Sequence, residues 1–188
     1  MKLKIMLLAM SVLGSVGAQA QILVSEGIGP ARDCFTHARF GFDPISGIKT
    51  CTIALTQPLV SRDRAATYGN RGVILNRLGR SDEAAADFNR AIALQPDLGD
   101  AYINIGSVLI KQKAYEEALG QINRGLELGP SFPEIGYYNR ALALELLGRY
   151  RDAYYDYRKA LELDPNFTLA SERLAHFVVT PAPVSSAR

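Results

Sequence analysis

The chain has 188 residues with 21 basic and 19 acidic side chains, enough length for one domain with a sizeable core. Lys2 and Lys4 are two of those basic residues, so beyond residue 20 the balance is 19 against 19. A neutral chain has no overall attraction for phosphate backbones or anionic lipid, which sets nucleic acid aside as a partner.

Residues 1–20 read as a secretory signal peptide. Lys2 and Lys4 give a positive start, Ile5 to Val12 an apolar run, and Ala18-Gln19-Ala20 a small-x-small cleavage pattern. A membrane anchor is the alternative, but the run is short and is followed by Gly14 and Ser15. Cleavage is expected after Ala20, giving an exported protein, periplasmic or secreted, with no membrane insertion once the leader is removed. Residues 21–29 hold two glycines and no period, and read as a linker.

Residues 30–60 read as a short helical hairpin. Pro30 suits a first helical turn, Gly41, Asp43, Pro44 and Gly47 break the helix, and Ile48, Thr52 and Leu55 form a second stripe ended by Pro58. The two cysteines, Cys34 and Cys51, both lie here. In an oxidising compartment such a pair reads as a disulfide stapling the hairpin, with two free buried thiols as the alternative. A metal site needs further ligands, and only His37 is near.

From 61 to 166 the chain repeats itself three times, over 65–98, 99–133 and 134–166. Tyr68, Tyr102 and Tyr137 keep one phase, as do Gly72, Gly106 and Ala141, then Ala84, Ala118 and Ala153, then Phe88, Ile122 and Tyr157. Pro96, Pro130 and Pro165 close the units. Such a period marks stacked helix-turn-helix units sharing one continuous core, an all-α solenoid. In the first unit Gly79 suits the left-handed residue that ends a helix, and Ser81 is a candidate cap for the next. Residues 167–179 are expected to form a capping helix with Ala170, Leu174 and Phe177 inward, and 180–188 a disordered tail.

Opposite the core stripe of each first helix lies a second set of residues. With Tyr68 at zero, Asn70, Val73 and Arg77 fall at about 200°, 140° and 180°. Asn104, Ser107 and Lys111 match them in the second unit, and Asn139, Leu142 and Leu146 in the third.

The large-aromatic, small-residue and alanine columns, with stretches such as KQKAYEEALGQINRGLELGP and LGRYRDAYYDYRKALELDP, resemble the tetratricopeptide repeat family. Lys113 in place of the turn glycine and Gly125 in place of an alanine are departures. The resemblance implies that the first helices line a concave groove holding a protein or peptide segment. Asn70, Asn104 and Asn139 would then bond the backbone of an extended peptide. The alternative is that these amides only bond neighbouring helices. Ile103, Ile135, Tyr138 and Leu142 would give the groove an apolar floor. Gly69 and Val73 stand where carboxylate-clamping members carry lysine and asparagine, so that specificity is not expected.

Nothing points to catalysis. His37 and His176 are far apart, and there is no metal-ligand spacing, phosphate loop or nucleophile elbow. No cofactor is expected. The sequence therefore reads as a non-catalytic binding adaptor with an open groove. A structural or assembly subunit, associating with copies of itself or with a cell-envelope complex, is the alternative.

Overall fold

The computed structural model describes residues 3–7, 17–21 and 29–181. Its helices are α1 (Pro30–Phe40), α2 (Pro44–Thr56), α3 (Ser61–Arg77), α4 (Ser81–Leu94), α5 (Gly99–Lys111), α6 (Tyr115–Glu127), α7 (Pro133–Leu146), α8 (Tyr150–Leu163) and α9 (Thr168–Leu174). Each packs on the next in chain order, and the first helices of the repeats also touch one another, α3 with α5 and α5 with α7. That second set of contacts makes a shared inner wall.

The sequence columns are the core. Ala84, Ala118 and Ala153 are fully buried, as are Phe88, Ile122 and Tyr157 beside them. Small residues let each hairpin close tightly, and the large ones fill the space between hairpins. Gly125 departs from alanine for a packing reason. A Cβ there would stand 2.6 Å from Ile103 Cγ1 and 2.7 Å from the Gly99 carbonyl oxygen. The bulk of Ile103, where the first repeat has Gly69, takes the room a methyl would need.

The turn inside each repeat is one motif used three times. Gly79 and Gly148 adopt φ of 76° and 74°, and Lys113 takes the same left-handed conformation at 63°. Arg80 N–H donates to Leu75 C=O, Ala114 to Leu109 and Arg149 to Leu144, at 3.0, 2.9 and 2.8 Å. These bonds satisfy carbonyls that the helix end leaves open. At Lys113 the geometry survives without glycine, at a cost of about 1 kcal/mol for the left-handed side chain. Ser81 does not cap α4: the helix starts at Ser81 itself, Arg80 holds the cap position with no side-chain bond, and the Arg80 guanidinium pairs with Glu83 at 2.6 Å.

The two ends are closed differently. At the first, Cys34 and Cys51 form a disulfide between α1 and α2, both cysteines fully buried beside Ala38 and Ile74. The Arg77 guanidinium donates to the Ala38 carbonyl and ties α3 to the same hairpin. At the other end, the expected capping helix stops at Leu174. Phe177–Pro181 instead form a strand, β2, antiparallel to β1 (Leu3–Leu7), with Leu3 opposite Pro181 and Leu7 opposite Phe177. The run of β-branched residues Val178, Val179 and Thr180 favours extended backbone over another helical turn. Thr180 and Pro181, expected in the tail, are thus paired; residues 182–188 of that tail and 22–28 of the expected linker lie outside the described residues. Ala170 and Phe177 are buried in the cluster of the second and third repeats with Leu174 packed against it, Phe177 from the strand rather than from a longer helix. Among the described residues, no helix is long and apolar enough to cross a membrane.

The staple closes a loop across 17 positions, which loop-closure entropy values at about 3 kcal/mol. Urea unfolding of the Cys34→Ala, Cys51→Ala chain is expected to show a loss of that order. An unchanged midpoint would contradict it.

Candidate functional site: the concave groove

The inner wall is built from α3, α5 and α7, and the three in-phase asparagines, Asn70, Asn104 and Asn139, are all fully buried on it. The groove is not vacant, contrary to the open inner wall that the repeats alone suggest. The chain's own residues 17–21 lie along it in extended form. Gln19 N–H donates to Asn139 Oδ1 at 2.8 Å, and Asn139 Nδ2 returns a bond to the Gln19 carbonyl at 2.6 Å. Two residues on, Gln21 N–H donates to Asn104 Oδ1 at 2.5 Å, and Asn104 Nδ2 donates to the Gln21 carbonyl at 2.8 Å.

The spacing has a simple cause. In extended backbone, residues i and i+2 face the same way, so their N–H and C=O groups meet successive carboxamides on one wall. A carboxamide offers both a donor and an acceptor, and each of these two asparagines uses both on a single residue. The segment meets the third repeat first and the second next, so it runs against the order of the repeats.

Side chains are held as well as backbone. Ala18 is 8% exposed and belongs to the apolar cluster that contains Ile103, Tyr138 and Leu142, while Ala20 packs against the cluster of Val73, Leu75 and Phe88. Gln21 is completely buried; its Nε2 donates to the Phe132 carbonyl at 2.7 Å, and its Oε1 has no partner among the described residues. Tyr138 reaches the Gly17 carbonyl at 3.5 Å.

The other expected groove residues divide into two groups. Val73, Ile103, Tyr138 and Leu142 lie beneath the segment and are at most 2% exposed, and Ile135 is half-buried. They are core as much as floor. Tyr138 sits between the rings of Tyr157 and Phe167, at 5.7 and 5.1 Å. Ser107, Lys111 and Arg77 instead bond neighbouring helices. Asn76 Nδ2 donates to Ser107 Oγ at 3.1 Å, Ser107 Oγ to the Asn104 carbonyl at 2.8 Å, and Lys111 Nζ to both Asn76 oxygens at 2.8 Å. Partial burial pulls the Lys111 ammonium below the usual lysine range, and Arg77 likewise below the usual arginine range. Asn104 and Asn139 thus bond the chain's own non-helical backbone, while Asn76, which is not in that ladder, bonds Ser107 and Lys111 on the neighbouring helix.

Asn76 and Gln21 escape a reading based on the face opposite the core. Asn76 falls at about 80° from Tyr68, on the core side, where a lone polar residue was the available signal. Gln21 lies in a stretch without periodicity.

Behind the groove, ion pairs lock the repeats. The Arg71 guanidinium bonds Asp87 at 2.6 and 2.9 Å, and Arg140 bonds Asp156 at 2.7 and 2.8 Å. Asp156 is 9% exposed, so it departs from the solvated face to which its charged neighbours Arg151, Arg158 and Lys159 belong. Glu145 accepts from Tyr157 Oη at 2.7 Å and from Arg173 at 3.1 Å, anchoring α9 to the third repeat.

Two models of the tetratricopeptide repeat family match residues 63–131 and 135–167, together more than half of the chain. The chain belongs to that family. A stretch of 117 residues is 28% identical to the Lipoprotein NlpI homolog of Haemophilus influenzae, covering 62% of this chain and 37% of that protein. The fold is similar to the crystal structure of MamA, with TM-score 0.59, 18% identity and coverage of 75% of this chain and 80% of the other. It is also similar to the first repeat domain of Spaghetti (RPAP3) bound to the HSP90 peptide SRMEEVD, with TM-score 0.55, 25% identity and coverage of 59% and 87%.

Burial holds the phenols of Tyr138 and Tyr157 above the ordinary tyrosine range, and Glu145 pushes Tyr157 further. Because the folded values are raised, this contribution to stability is complete below the unfolded value near 10 and is lost as pH rises above it. Neither phenol is expected to ionise before the fold opens. Alkaline titration at 295 nm, comparing each Tyr→Phe variant with the parent, checks this; a phenolate signal from either site while the far-ultraviolet helix signal persists would contradict it.

Proposed function

We propose that this chain is a non-catalytic, exported adaptor that holds an extended polypeptide segment of a partner in its concave groove. One observation carries the reading: Asn104 and Asn139 each donate to and accept from the backbone of a single extended residue, and those two residues are separated by one position. That arrangement is a backbone-recognition surface, because every residue except proline presents the same pair of groups. The peptide-bound Spaghetti domain, similar in fold, supports a peptide as occupant. Gly69 and Val73 in place of clamp residues argue for recognition along the length of the segment rather than at a terminal carboxylate.

Export is supported by the leader pattern of residues 1–20 and by the buried Cys34–Cys51 disulfide, a bond that persists in oxidising compartments. The name of the Haemophilus influenzae relative, a lipoprotein, is in keeping with an envelope location.

Tyr138 and Leu142 are core residues, so their replacement would damage the fold along with the groove. The asparagines are the cleaner test. Affinity capture with the chain carrying Asn104→Ala and Asn139→Ala, melting within a few degrees of the parent, is expected to lose the parent's co-purifying proteins at least tenfold. The same proteins retained by both chains would contradict the adaptor reading, and a stable homo-oligomer in light scattering would favour the assembly alternative.

A further inference from the structure

The segment in the groove belongs to the chain, and it is bound by more than its backbone. Ala18 is buried at 8% exposure within the apolar cluster that holds Tyr138 and Leu142, a close-packed setting that a larger side chain would crowd. Gln21 is enclosed completely, and its Nε2 donates to the carbonyl oxygen of Phe132. A glutamate there would place a buried acceptor-only carboxylate against another acceptor. Gln19, by contrast, lies partly open, and its side-chain Nε2 donates to the Gly17 carbonyl of the same segment at 3.3 Å. The groove thus distinguishes positions: tight at the first, open at the second, and selective for an uncharged donor at the fourth.

From this we infer that residues 17–21 are a built-in occupant, and that the external partner presents the same pattern: an extended stretch with a small residue three positions before a glutamine. In the uncleaved chain the partner must displace the occupant. This inference rests on the adaptor reading and adds both the chemistry of the ligand and competition from within the chain. The position of the occupant also connects it to processing. Cleavage after Ala20, where the leader pattern puts it, would remove Gln19 from Asn139 and leave Gln21 as the first residue, unloading the third-repeat half of the groove.

The test uses the full chain. Gln19→Pro with Gln21→Pro deletes both N–H donors to the asparagines while allowing extended backbone, and so frees the groove without touching its walls. Fluorescence anisotropy then follows a labelled peptide of residues 17–22, Gly-Ala-Gln-Ala-Gln-Ile. The substituted chain is expected to bind it at least tenfold more tightly than the unaltered chain does. Changing the peptide's Ala18 position to leucine, or its Gln21 position to glutamate, is expected to weaken binding at least tenfold. A change of its Gln19 position to glutamate is expected to have less than a threefold effect.

Equal affinity of both chains for the peptide would overturn the built-in occupant. Equal affinity of the substituted chain for all the peptides would overturn the specificity and leave backbone recognition standing. No binding by the substituted chain, with circular dichroism showing it folded, would overturn this inference, and the adaptor reading would then stand or fall on the asparagine capture comparison.

Discussion

A carboxamide buried on the wall of a helical array needs both a donor and an acceptor, and the interior of the helix that carries it has no free N–H to donate. Helix interiors have already paired their own backbone groups. The amide must therefore look outward, to another side chain or to backbone that is not helical. Asn104 and Asn139 solve the problem with extended chain, and Asn76 solves it with Ser107 and Lys111. The groove is where that need for non-helical backbone recurs at the same depth in successive repeats. Everything else in the fold keeps those amides in phase.

Phase is maintained by packing and by repeated polar locks. The small columns set how closely hairpins pack, and the large buried residues Phe88, Ile122 and Tyr157 set the spacing between layers. Arg71–Asp87 and Arg140–Asp156 hold the paired helices of the first and third repeats, while the second carries Ile105 and Gln121 in the corresponding places. A stack of this kind is weakest at its ends, where a unit has one neighbour. Here a disulfide reinforces the first end, and Glu145, Arg173 and the paired strands close the other.

Most of the fold was legible because a repeat states its core several times over. One tyrosine, glycine or alanine means little, but three in phase identify a face, and the helices, turns and buried alanines follow. Even the left-handed turn at Lys113 is predictable from Gly79 and Gly148, since the surrounding bonds impose the conformation. What periodicity does not encode is what happens outside the repeat. Ser81 fails as a cap because the helix begins one residue earlier than a cap would require. The capping helix is cut short by a β-branched run whose partner strand lies more than 150 positions away. Asn104 and Asn139 were visible as candidates, yet their partner, Gln19 to Gln21, was hidden in a stretch that reads as leader and linker. Long-range pairing between a periodic and an aperiodic segment leaves no local trace.

The central claim is that the groove reads backbone at alternate residues through Asn104 and Asn139. N-methylation of a peptide removes one N–H donor at a time and tests this most directly. Take the peptide of residues 17–22 against the chain carrying Gln19→Pro and Gln21→Pro. Methylation at the Gln19 or the Gln21 nitrogen should each abolish measurable binding, whereas methylation at the intervening Ala20 nitrogen should change affinity less than threefold. Equal losses at all three nitrogens, or none at any, would contradict the account.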